Sequence, residues 1–180
     1  MKKVIVVLLF AFAVTVMAQS PISQGSVSLG GTASFSSQSY DYSSADHTTL
    51  ILNPKAGYFF VDHLYAALSV NYIHWSSGNA QSDIYGMGPV IRYYFDVDKV
   101  KPFLGVGYNF MSQKITSDPG VYTTNEFIIS GGMDFFVTRS LALEGSLNYS
   151  FISYKATASR LDPMKSKLFR VDVGFNYFIY

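Results

Sequence analysis

The chain has no cysteine, which removes a disulfide framework, a thiolate metal site, a cysteine nucleophile and a lipid-anchored N-terminal cysteine. Charge is scarce as well. Asp, Glu, Lys and Arg make up 14% of 180 residues and the formal net charge is +1, too nearly neutral for a generic nucleic-acid binder. After the first 18 residues no apolar run is long enough for a helical membrane span, which needs about 18 residues. Tryptophan occurs once, yet there are 14 Tyr, 15 Phe and 14 Gly, and 49% of the chain is hydrophobic. That composition is too apolar for disorder, and the length suits one domain.

The N-terminus reads as a secretory signal. Lys2 and Lys3 precede an apolar stretch from Val4 to Val14, and Val16-Met17-Ala18 supplies a plausible cleavage site. Residues 1–18 are therefore expected to be removed, leaving 19–180 as the functional domain. Taking away the two lysines leaves 11 basic against 12 acidic side chains, a net charge of −1.

The remainder alternates with period two, the signature of β-strands. In "LILNPKAGYFF" from Leu50, residues Leu50, Leu52, Ala56, Tyr58 and Phe60 share one parity, while Asn53, Lys55 and Gly57 take the other. The pattern recurs from Leu64 to Tyr72 and from Tyr85 to Phe95. Five further segments show it, near Ser26–Phe35, Pro102–Phe110, Glu126–Phe135, Leu141–Phe151 and Phe169–Tyr177. Three connections are short, around Val61-Asp62-His63, Asp96–Val100 and Val137–Ser140. Four are longer and rich in Ser, Asp, Gly and Lys: Ser36–Thr49, Ser76–Asp83, Ser112–Asn125 and Ile152–Lys167. This order predicts an all-β, eight-stranded antiparallel up-and-down barrel with tight turns at one end and long loops at the other.

The charges decide what surrounds the barrel. Lys55, Arg92, Glu126, Asp134, Glu144, Arg170 and Asp172 all lie on the polar parity, which would happen by chance about once in a hundred. A soluble sandwich or lipocalin-type barrel would turn those charges outward to water. Three features favour the opposite sense. Glycine and serine crowd the polar face, as a narrow, side-chain-filled lumen requires. The seven charges nearly cancel. Aromatic residues collect at both ends of the apolar face, Tyr58, Phe60, Tyr93, Phe95, Phe135 and Tyr177 towards the short turns and Tyr72, Tyr85, Phe110, Phe127, Phe151 and Phe169 towards the long loops. Two aromatic girdles around an aliphatic band fit a bilayer, where closure of the barrel is also what satisfies every backbone group.

The stretches "GYFFVDHLYAALSVNY" from Gly57, "GPVIRYYF" from Gly88, "KPFLGVGYNF" from Lys101 and the last strand "FRVDVGFNYFIY" carry a family resemblance. The chain resembles the small eight-stranded outer-membrane β-barrels of Gram-negative bacteria, the porin-like group that includes the OmpX-like and OmpA N-terminal barrels. The resemblance implies an outer-membrane location, contact with outer-membrane lipid and lipopolysaccharide, and insertion by the barrel assembly machinery, which reads an aromatic end such as Tyr180. It implies a monomer with no cofactor and no nucleic-acid partner, and it specifies no activity. Tyr180 shares parity with Asp172 while Ile179 continues the lipid-facing set, so the register of the last two residues is open.

Candidate sites are few. His74 and Ser76 share the outward parity at the loop end of the third strand, and the pair resembles the catalytic arrangement of barrel-type lipid A deacylases, with Ser77 where that family has asparagine and Asp83 the nearest carboxylate. The competing account is an ordinary His74-Trp75 pair in the headgroup belt. His47 and His63 lack a second ligand at metal spacing and read as solvated, so no metal site is expected. Gly105-Val106-Gly107 has no helix after it, which excludes a nucleotide loop. Asn148-Tyr149-Ser150 matches a glycosylation sequon inside a strand and reads as accidental. The seven interior charges form either a closed ion-pair network or a polar pathway, and eight strands leave room for little beyond side chains. Lys155, Arg160, Lys165 and Lys167 in the fourth loop face only Asp162, a basic patch suited to an anionic lipid or partner. The expected role is non-enzymatic, in envelope integrity or surface adhesion, with deacylation or a narrow channel as alternatives.

Overall fold

The computed structural model describes residues 20–40, 43–77, 80–115, 118–156 and 164–180. The expected signal segment and residues Arg160 and Asp162 of the basic loop lie outside the described residues. Eight strands follow one another: β1 (Val27–Tyr40), β2 (Ser43–Val61), β3 (Leu64–Ser77), β4 (Ala80–Tyr94), β5 (Val100–Ile115), β6 (Asp118–Phe136), β7 (Leu141–Ala156) and β8 (Met164–Ile179). Each pairs antiparallel with its neighbour, and β1 closes on β8 from Val27↔Ile179 to Ala33↔Val173. Closure pairs the short-turn halves of β1 and β8, while Ser34–Tyr40 and Met164–Asp172 extend past the end of that ladder.

Strand ends depart from the expected boundaries. Ladder pairs such as Ser36↔Thr49, Ser37↔Thr48, Ser112↔Thr123 and Phe151↔Lys167 carry the sheet through segments that read as long loops. Those stretches are mostly polar and alternate weakly, yet each backbone still has an antiparallel partner waiting across the ladder. The short turns are as expected. His63 is more than a solvated residue: it adopts φ 69° at the β2–β3 turn, and its amide donates to the Ile22 carbonyl at 2.8 Å. The backbones also approach closely. A methyl group on Gly88 would overlap the Tyr108 carbonyl across the β4–β5 ladder, so only glycine fits.

The lumen is filled in tiers. Next to the short turns, Phe59, Tyr65, Tyr94, Phe103 and Phe178 pack ring on ring, with Ile22 inserted from the segment that precedes β1. Phe59 and Ile22 are 0% and 1% exposed. Above them lies a polar tier, and above that an aliphatic one. The last two residues are resolved by this packing, since Ile179 points outward while Tyr180 folds under the aromatic cluster and donates from its hydroxyl to the Arg139 carbonyl at 2.9 Å.

Candidate functional site

The polar tier is organised around Glu144, whose side chain is fully buried. Arg92 on β4 approaches it from across the lumen with both terminal nitrogens, at 3.0 Å and 2.9 Å, and Lys55 on β2 forms a second ion pair with it. A two-pronged guanidinium–carboxylate contact fixes orientation as well as charge. The Arg92 guanidinium also lies 4.0 Å over the Phe103 ring, which ties the ionic tier to the aromatic one below. Asp134 joins through neutral donors: Tyr94 Oη at 3.0 Å and Asn176 Nδ2 at 2.8 Å, the same amide reaching Glu144 Oε2 at 2.6 Å.

The other interior charges stand apart from this cluster. Arg170 Nε donates to Asp172 at 2.7 Å, with Asn148 supporting the carboxylate at 3.0 Å. Glu126 accepts from Asn109 at 2.9 Å and has no ion pair among the described residues. The seven charges thus resolve into an ionic cluster, a separate pair and an amide-held carboxylate. Lys101 was missed by the sequence reading. It is inward and buried, and it pairs with Asp96 of the β4–β5 turn. A cavity of about 50 Å³ lies between these groups, lined in part by Asn53, Asn71 and Asn109, each with a buried polar atom that has no hydrogen-bond partner among the described residues. That volume has room for a few water molecules.

At the outer rim, His74 Nδ1 lies 2.9 Å from Asp83 Oδ1, and the Tyr72 hydroxyl donates to the same oxygen at 2.8 Å. These hydrogen bonds, His74 first and Tyr72 second, hold the Asp83 carboxyl below its ordinary range. Asp83 falls on the outer face because β4 begins at Ala80 and takes in the last four residues of the expected loop. Ser76 is not hydrogen-bonded to His74 among the described residues. Trp75 does not belong to the headgroup belt; opposite parity turns it into the lumen, where it lines a cavity of about 220 Å³. Asn148 and Ser150 of the sequon are buried inward and inaccessible to a glycosylating enzyme.

The basic residues 155, 165 and 167 are likewise on strands. Lys155 on β7 and Lys165 and Lys167 on β8 are exposed and take the outward parity, Lys167 directly beside Phe151 of the upper girdle. Three lysines on adjacent strands just above the aromatic belt form one lateral patch.

The outer surface itself inverts the usual rule. Leu104, Leu147, Val171, Val173 and Phe175 are each more than half exposed, while Lys55, Arg92, Asp134 and Glu144 are less than a tenth exposed. Tyr and Phe bound this apolar band at both ends, including Tyr93, Phe95 and Tyr177 below and Tyr85, Phe110 and Phe169 above. Such a surface matches hydrocarbon flanked by two headgroup layers. The family model described as outer membrane protein beta-barrel domain matches residues 5–177.

The chain belongs to the outer membrane protein β-barrel domain family.

It is accordingly an integral protein of the Gram-negative outer membrane. Among solved structures, the barrel resembles Neisserial surface protein A (NspA) at 20% identity and TM-score 0.53, covering 84% of this chain and 94% of that one. It also resembles the N-terminal β-barrel domain of Pseudomonas aeruginosa OprF at 15% identity and TM-score 0.53, covering 86% and 98%. At these identities the likeness speaks for the fold. No curated protein is significantly similar in sequence. Inward aliphatic residues at the outer end, Ile51, Ile73 and Ile84 among them, were also missed by the sequence reading. Their signal was a local loss of alternation, as in the consecutive Leu50-Ile51-Leu52.

Proposed function

We propose that this protein is a non-conducting outer-membrane barrel with a structural and surface-interaction role, in envelope integrity or adhesion through its outer strands and loops. The observation that carries this reading is the double closure of the lumen, with the Lys55–Glu144–Arg92 cluster stacked directly on a fully buried aromatic tier. A solute would have to break both tiers to pass. Planar-bilayer recordings on the refolded barrel are expected to stay at background, and reproducible conductance steps would replace this reading with that of a narrow channel. The lateral patch of Lys155, Lys165 and Lys167 suits the phosphates of lipopolysaccharide, which lie at headgroup height. Replacing all three with Gln should weaken association with lipopolysaccharide-containing vesicles at low salt and erase its salt dependence; unaltered binding would discard the patch as a contact.

One observation favours a second reading, ester hydrolysis by His74 and Ser76 with Asp83 orienting the imidazole. The 2.9 Å contact between His74 Nδ1 and Asp83 supplies the third group such chemistry needs, and it leaves Nε2 for a hydroxyl. Mass analysis of lipid A from cells expressing the protein tests it. Loss of an acyl chain that disappears in Ser76→Ala supports hydrolysis, and unchanged lipid A removes it.

A further inference from the structure

The outer third of the lumen departs from the polar interior below it. Ile51, Ile73 and Ile84 face inward in register across β2, β3 and β4, and Met111, Ile152 and Leu168 complete an aliphatic wall from β5, β7 and β8. With Thr49, Trp75, Thr124 and Tyr154 they line a partly open pocket of about 220 Å³. Protein interiors close-pack, and voids larger than a water molecule are few. An apolar void offers water no partners, stays dry and accepts apolar guests. The floor is different in kind. Arg170 lies one inward position deeper than Leu168, and Glu126 one deeper than Thr124. Arg170 is already neutralised by Asp172, whereas among the described residues Glu126 is held by the neutral amide of Asn109 and by no cation. A concave apolar wall with a small number of convergent polar groups is the general form of a small-molecule site.

We propose that the outer lumen of this barrel is a binding pocket for a small uncharged ring compound or short alcohol, whose apolar body lies against the isoleucine wall and whose single N–H or O–H donates to Glu126. Size limits the guest. An apolar cavity of roughly 150 Å³ holds benzene, so about 220 Å³ corresponds to a body of about nine heavy atoms. Charge limits it too. With Arg170 balanced by Asp172, Glu126 disfavours an anionic tip, and a cationic one would have to lose its hydration against an aliphatic wall. Below the floor, the ionic and aromatic tiers bar onward passage, so the pocket captures its guest from the outer side and returns it there.

Indole, with nine heavy atoms and one N–H, is a suitable probe. It can be titrated into the full barrel in lipid nanodiscs with isoleucine methyl groups labelled for NMR. Saturable shifts are expected at Ile51, Ile73, Ile84 and Ile152, with the lipid-facing Ile91, Ile129 and Ile179 unmoved. Ile84→Phe fills the void and should abolish those shifts while leaving the lipid-facing methyl spectrum intact. Ile73→Phe repeats the test should the first variant fail to assemble. Glu126→Gln should weaken indole at least about threefold, since a donor to an ionised acceptor is held more strongly than one to an amide. Shifts that grow without saturation at inward and outward methyls alike would mean simple partition into lipid and overturn the pocket. So would silent inward methyls, or saturable binding that survives the filling substitutions. Unchanged affinity in Glu126→Gln would overturn the role of the floor.

Discussion

Replacing Glu144 with Ala removes the acceptor on which the interior cations converge. Arg92 loses two hydrogen bonds, at 3.0 Å and 2.9 Å, Lys55 loses its ion pair, and Asn176 loses a 2.6 Å contact. Asp134 already accepts from Tyr94 and Asn176, and it would be the one carboxylate left beside both cations. Two cations would remain in a lumen where the Lys55 and Arg92 side chains are only 5% and 7% exposed. Breaking a buried pair by removing one partner costs about 3 to 5 kcal/mol, and two cations left to share Asp134 keep this case in that range. Glu144→Gln keeps the shape and removes the charge, so most of the loss should persist there. Lys155→Ala, on the exposed patch, should stay within about 0.5 kcal/mol. Reversible urea unfolding in micelles, followed by the fluorescence of the sole tryptophan, Trp75, gives the three values on one scale. A loss below about 0.5 kcal/mol in Glu144→Ala, the size of a solvated surface pair, would refute the closed cluster and mean that water reaches these charges.

Leu147→Arg, midway between the girdles on the lipid face, should cost about 2 to 4 kcal/mol by the same assay; a negligible cost would mean that the outer surface meets water. Phe59→Ala, at the centre of the aromatic tier, should lose about 3 to 5 kcal/mol, and a loss below 1 kcal/mol would show that the tier collapses freely into the gap. Gly88→Ala should block assembly, read as loss of the heat-modifiable gel band, because the Tyr108 carbonyl occupies the space. Gly145→Ala, with nothing within 4 Å of the added carbon, should assemble normally, and equal behaviour of the two would void the close-approach argument.

Much of the fold was legible before any coordinates, for a definite reason. A barrel in lipid must alternate strictly where it crosses hydrocarbon, so the sequence carried the strand parity, the girdles and the set of inward charges without help from tertiary contacts. Legibility ended where that pressure ended. Above the upper girdle the strands are mostly polar, and Asp83, Lys165 and Lys167 looked like loop residues because alternation there is weak. Inside the lumen, parity says that Lys55, Arg92 and Glu144 point inward, but which charges meet depends on the stagger between strands distant in sequence, such as β2, β4 and β7. Parity likewise turned Phe59, Tyr94 and Phe178 inward among the polar residues, yet it could not say that they stack into one tier. Ile51, Ile73 and Ile84 are unremarkable apolar residues one at a time, and only closure of the sheet brings them round a common void. The sequence by itself determined the membrane, the strand faces and the sign of the interior; register and barrel closure decided which side chains touch, because contacts across a lumen are set by geometry that no local pattern encodes.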